Sequence, residues 1–347
     1  MKRKTTVILL MVSLSAVLFG FSANNYFVIT PQDVELKIPK GFPKPSYRFK
    51  DNKLTPEKFV LGRKLFYDPI LSKDSTISCG SCHQRIAAFA HIDHPLSHGI
   101  NGLIGKRNVP ALQNLIWKDA FMWDGGVNNL EVQPINPITN PIEMNESLAG
   151  VVQKLNGNKE YAAAFSAAFG TTRITSAEIL KVLAQFTGLM ISSNSRYDKY
   201  IAHEDTFSLS EKNGLELFRA KCNSCHPEPL FTDNTYRYNG ITPDTALKDK
   251  GRGAVTGEQS DDYKFLVPGL RNISMTYPYM HDGRYRKLKD VLNYYGDPAN
   301  FGPHAAKEMY AIGKLSENNK ADIIAFLLTL TDKTFIYDRR FVDPFME

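Results

Sequence analysis

A mostly α-helical chain, built from two copies of one unit with long loops, is predicted by three observations. The pentapeptide Cys79-Gly80-Ser81-Cys82-His83 recurs 143 residues later as Cys222-Asn223-Ser224-Cys225-His226, and the two use all four cysteines. Similar segments precede and follow each pentapeptide in the same order, which argues for an internal duplication. Apolar positions recur at helical spacing, whereas strand-like alternation is scarce.

The pentapeptides carry the chemistry. C-x-x-C-H is the haem c attachment signature: two thiols three positions apart can each form a thioether to one porphyrin, and the adjacent imidazole ligates its iron. A zinc site or a redox dithiol can also use C-x-x-C, but neither explains a histidine following it twice. Two covalently bound haem c groups are therefore expected. One is attached at Cys79 and Cys82 with His83 on its iron, the other at Cys222 and Cys225 with His226, each in a cytochrome c-like domain.

With 347 residues, 43% of them hydrophobic, the chain is long enough for two ordinary domains. Met1-Lys2-Arg3-Lys4 and the uncharged run that follows to Ala23 have the basic and apolar regions of a secretory signal. Export to the periplasm is expected, with residues 1–23 removed or kept as a membrane anchor. Without them the formal charge falls from +6 to +3, and four haem propionates would bring the holoprotein close to neutral. Nucleic-acid binding has no support.

A proline-rich arm over residues 37–45 cannot be a regular element. The first unit, 24–205, opens with a short helix over 56–66, and the second, 206–347, with one over 210–218 that has the same G-x-x-L-F ending. Val109-Pro110-Ala111-Leu112-Gln113-Asn114-Leu115 matches Val267-Pro268-Gly269-Leu270-Arg271-Asn272-Ile273. Thirteen residues after each valine stands Met122-Trp123-Asp124-Gly125 or Met280-His281-Asp282-Gly283. A helix capped by Ser176 carries Ile179, Leu180, Val182, Leu183, Phe186, Leu189 and Met190 on one face. A linker is expected over 197–206, and a last helix from Ser316 through Leu330.

The copies differ where function would need them to. Fifteen residues after Met122 is Pro137, and fifteen after Met280 is Tyr295. Proline cannot ligate iron, so a distal position here leaves the first iron open and the second closed by Tyr295, with Met280 as an equal candidate. Glu143 lies near Pro137 in a proline-stiffened loop without a counterpart; it reads either as a surface carboxylate or as an acid-base group over an open iron. Trp123 stands where the second copy has His281, either as packing or as an electron relay. His91, His94 and His98 crowd one loop and could supply a displaceable ligand or a metal site.

These motifs closely resemble the bacterial dihaem cytochrome c peroxidase and MauG family over essentially the whole chain after the signal. The resemblance rests on both C-x-x-C-H motifs, Arg107-Asn108-Val109-Pro110, Phe121-Met122-Trp123-Asp124-Gly125, Leu130-Glu131-Val132-Gln133, Pro141-Ile142-Glu143-Met144 and Thr276-Tyr277-Pro278-Tyr279-Met280-His281-Asp282-Gly283. It implies an enzyme that reduces hydrogen peroxide to water at the N-terminal haem, with electrons from a small c-type cytochrome or similar donor entering at the C-terminal haem. It further implies Glu143 as catalytic acid-base, Gln133 as a second distal residue, Trp123 between the haems, and His98 as a displaceable ligand of haem 1. A Ca2+ ion held by Asn108, Thr276 and Pro278 and a homodimer are implied as well. Tyrosine at 295 is similar to MauG-type members, which gives the alternative of an enzyme using peroxide to oxidise side chains of a partner protein. A non-catalytic dihaem electron carrier is the second alternative.

Overall fold

The computed structural model describes residues 28–346. The expected signal or anchor over 1–23 lies outside them. Among the described residues, no helix is long and apolar enough to cross a membrane.

The arm is irregular apart from a 3-10 turn at Pro31–Val34. It is pinned where Tyr47 N donates to Ile116 O (3.0 Å) and Trp117 Nε1 to Pro43 O (2.8 Å). Helix α1 (Pro56–Tyr67) starts as its sequence directs, with the Thr55 hydroxyl accepting from Lys58 N and a proline in the first turn. The single turn α2 (Cys79–Cys82) is the first attachment motif, and α3 (Ile135–Thr139) follows the Met-Trp-Asp-Gly segment. Then come α4 (Leu148–Asn156), α5 (Lys159–Phe169) and α6 (Ser176–Gly188). Thr175, not Ser176, caps α6, because its hydroxyl and Glu178 close a reciprocal capping box. Leu189 and Met190 lie past the end of that helix but remain buried.

The stretch expected as a linker carries α7 (Arg196–Ile201), which is held in place by buried Tyr197. The second unit contains α8 (Leu209–Lys221), α9 (Gly253–Thr256), α10 (Leu288–Tyr295), α11 (Lys307–Ile312) and α12 (Glu317–Leu328). Strands β1 (Tyr236–Arg237) and β2 (Phe265–Leu266) form one short antiparallel pair. After Asp332, α13 (Lys333–Ile336) and the turn to Phe341 return to the first unit, burying Phe335, Ile336 and Phe341 in its core.

The duplication extends into the packing. Helix α1 crosses α6 at Gly62, where a Cβ would sit 2.0 Å from Val182 O; α8 crosses α12 at Gly214, 2.0 Å from Asp322 O. Only glycine permits either approach. Beside each crossing lies the same trio of rings. Phe66 is 5.0 Å from Phe186 and 6.1 Å from Phe89, while Phe218 is 5.0 Å from Phe326 and 5.7 Å from Phe231. The copies face one another through reciprocal backbone bonds. Asn108 N donates to His281 O, and Leu266 N donates to Trp123 O, both at 2.7 Å.

A candidate active site between two attachment motifs

Each motif forms one tight turn. His83 N donates to Cys79 O at 2.8 Å and His226 N to Cys222 O at 2.9 Å, so the thiols and the imidazole follow one another around the turn. Both turns open onto a single cavity of about 690 Å³ lined by residues of both units. Burial pushes Cys79 and Cys222 up to about 12 and lowers His83 to about 4. His226 is lowered for the same reason.

Both imidazoles are held alike. His83 Nδ1 lies 2.8 Å from Phe89 O, and His226 Nδ1 lies 2.9 Å from Phe231 O. A carbonyl only accepts, so Nδ1 carries the proton and Nε2 keeps its lone pair, the arrangement a metal-ligating histidine needs. Phe89 (φ 62°) and Phe231 (φ 57°) adopt left-handed backbone that a bulky residue rarely tolerates. Each is fully buried in its ring trio, and that packing holds the carbonyl toward the histidine. The thiol pairs, the neutral imidazoles and the connected cavity fit two haem c groups.

The other walls are unequal. Gln133, Pro137 and Glu143 line the cavity, and Glu143 lies close enough to the first motif to act on the thiols of Cys79 and Cys82. Burial raises the Glu143 carboxyl above the usual carboxylate range, partly opposed by a 2.9 Å bond from Asn140 Nδ2 to Oε1. Asn140 is oriented unambiguously, because its Oδ1 accepts from Ile142 N. The strap at Gly99 and Ile100 lies on this loop, with Ile100 N donating to Glu143 O. Beside the second motif stand Tyr295 and Met280, the phenol oxygen 3.6 Å from the thioether sulfur, and Asn239 Nδ2 donates to that oxygen at 3.1 Å. Burial pushes the Tyr295 phenol up to about 12.

Residues 56–206 match the family profile described as di-haem cytochrome c peroxidase, and residues 211–331 match cytochrome c. The chain is 35% identical to methylamine utilization protein MauG of Methylorubrum extorquens, covering 84% of this chain and 82% of that protein. It is 30% identical to cytochrome c551 peroxidase of Pseudomonas aeruginosa, covering 85% and 84%. The chain belongs to the di-haem cytochrome c peroxidase family. A crystal structure of a MauG-like protein associated with microbial copper homeostasis superposes with a TM-score of 0.80 at 33% identity, over 90% of this chain and 99% of that one. Membership makes this protein a peroxidase-class oxidoreductase with two c-type haems.

Against the family pattern, Trp123 borders the cavity between the two motifs, its Nε1 donating to Asn108 O at 2.8 Å. Asn108, Thr276 and Pro278 also border it. Asn108 Nδ2 is taken by the carbonyls of His94 and Pro95, which leaves Oδ1 as its oxygen donor. His98 lies at the cavity edge, its carbonyl 3.3 Å from Cys82 Sγ and its buried Nδ1 without a hydrogen bond. His91 and His94 stack at 4.5 Å. The His94 ring lies 4.7 Å from that of His98, so the three rings cluster, although among the described residues no group of three or more His, Cys, Asp or Glu is placed to hold a metal ion.

Sequence reasoning missed the groups that hold the site residues. Asn140 and Asn239 gave no signal beyond their residue type. Phe89 and Phe231 could have been found, as the phenylalanines six and five residues after their paired histidines.

Proposed function

We propose that the protein reduces hydrogen peroxide to water beside Glu143, with two electrons that enter on the Tyr295 side from a small c-type cytochrome or similar donor. The inequality of the two distal walls carries this reading: one pairs a proline with a buried acid, the other a phenol with a thioether. The haem at His83 would supply the electrons that break the O–O bond.

The chain's own residues handle the protons and the positioning. The Glu143 oxygen not held by Asn140 takes a proton from one peroxide oxygen and returns it to the other, which leaves as water. Gln133 offers an amide to the same pocket. Two protons from solvent and two donor electrons then convert the remaining oxygen into the second water, so that one peroxide gives two waters. Trp123, bordering the cavity between the motifs, is the electron relay. Asn108 Oδ1 with Thr276 and Pro278 supplies the hard oxygen donors suited to Ca2+.

A second reading has a specific observation in its favour. Tyr295 stands in hydrogen-bond reach of Met280, and a hard phenolate on the second iron would lower its potential and weaken electron entry from an ordinary cytochrome. In that case peroxide equivalents would oxidise side chains of a partner protein. Export to the periplasm, a homodimer and an N-terminal anchor accompany either reading as proposals.

Cyanide titration of the holoprotein, fully oxidised and after one-electron reduction, tests the inequality. One ligand per chain, at the His83-side haem, is expected, and a requirement for prior reduction would implicate His98 as the displaceable ligand. Binding at the His226-side haem, or at neither haem in either state, would contradict it.

A further inference from the structure

Several buried or partly buried cations line the cavity, and most have a partner. Arg107 is bound by Asp124 and Asp249, Arg271 by Asp198, and Arg237 by Asp233, while Lys221 donates to Ile312 O. Lys118 is different. It borders the cavity, and among the described residues its side chain has no hydrogen bond or ion pair; only its backbone N–H is bonded, to Leu115 O. Burial alone lowers its pKa to about 8, with no nearby carboxylate opposing the shift. A desolvated ammonium without a counter-ion is costly, and a buried charge is normally paired.

Its neighbourhood points to the second haem site. The carbonyl of adjacent Trp117 accepts from Asn234 Nδ2 at 3.1 Å, so Lys118 lies against the stretch that follows the second attachment motif. That stretch also presents Arg237 Nε, buried without a hydrogen bond and 3.9 Å from Glu308. The duplication gives Lys118 no cationic twin: the residue 158 positions later, the offset that relates Met122 to Met280, is Thr276. The charge is therefore one-sided.

We infer that Lys118, together with Arg237 Nε on the cavity wall near Cys225 and His226, is a counter-cation for a carboxylate of the haem attached at Cys222 and Cys225. A haem carries two propionates, and an ammonium or guanidinium N–H to a carboxylate is a strong charge-assisted bond. A cation there favours the ferrous state, so Lys118 raises the potential of the second haem and opposes the lowering that a phenolate at Tyr295 would impose. The first unit thereby tunes the haem of the second across their interface. This inference rests on the two-haem composition and not on the peroxide reading, so potentials report on it even where peroxide turnover fails.

Spectroelectrochemical titration of the two-haem protein tests it, comparing wild type with Lys118→Met and Lys118→Arg. At a fixed potential, Lys118→Met should lower the ferrous-to-ferric ratio of the His226-side haem about tenfold, ~59 mV for one electron. Lys118→Arg should stay within about threefold of wild type, since it keeps the charge and the donors. Lys118→Gln is read by the same criterion where the methionine variant does not mature. Unchanged potentials in the charge-removing variant, or a shift confined to the His83-side haem, would overturn the assignment.

Discussion

Replacing Glu143 by glutamine should lower peroxide turnover by about 10²–10⁴-fold, the range a positioned general acid-base contributes, while both haems remain attached. Glutamine keeps the shape and the oxygen that accepts from Asn140, so the loop over residues 136–144 has no reason to move. It also removes a carboxyl whose burial already disfavours the charged form, so folding is not penalised. What is lost is the exchangeable proton on the oxygen that faces substrate. Steady-state kinetics with a saturating donor reads the effect, and turnover within a few-fold of wild type would remove Glu143 from the mechanism.

Arg271→Met should lower the unfolding free energy by about 3–5 kcal/mol, the usual result of breaking a buried ion pair from one side. Arg271 is 1% exposed and makes two bonds to Asp198 at 2.7 and 2.8 Å, while its Nε donates to Pro229 O. Its guanidinium lies over the rings of Phe42 and Phe231, and the Phe231 carbonyl holds His226. Without it, Asp198 is left desolvated. Urea unfolding followed through the haem absorption measures the loss. The pair also sets a pH dependence. Burial alone would raise Asp198, but the bonds from Arg271 and Ser195 hold it below the ordinary carboxylate value. A depressed folded pKa gives stability that is present above the unfolded value, ~3.9, and lost as pH falls through the folded one. The wild type should therefore lose this increment on acidification below about pH 4, and Arg271→Met should lack that component.

Much of this was legible in the sequence because haem attachment needs a fixed spacing and duplication repeats it. Cys79 to His83 and Cys222 to His226 identified themselves, and the Met122 and Met280 anchors placed Pro137 opposite Tyr295. Helix starts were legible to within a residue, the shift from Ser176 to Thr175 arising because a Thr-x-x-Glu box satisfies two backbone donors where serine alone satisfies one; helix ends were off by up to three. Tertiary placement was not legible. The return of Phe335 and Phe341 to the first core depends on a long-range hydrophobic surface, not on any local pattern. The stretch at 197–206 looks polar, yet Tyr197 is buried there by Phe231 and Phe326. Lys118 shows the same limit: a lysine in a loop reads as solvated until the other unit folds over it.

The most direct test of the central claim is steady-state oxidation of a reduced monohaem cytochrome c by hydrogen peroxide, with the two-haem protein as catalyst, before and after one-electron reduction. Catalytic turnover with two cytochromes oxidised per peroxide consumed is the expected result. Peroxide that is consumed with oxidation of the protein's own haems, while the cytochrome stays reduced, would contradict it and favour oxidation of a partner protein.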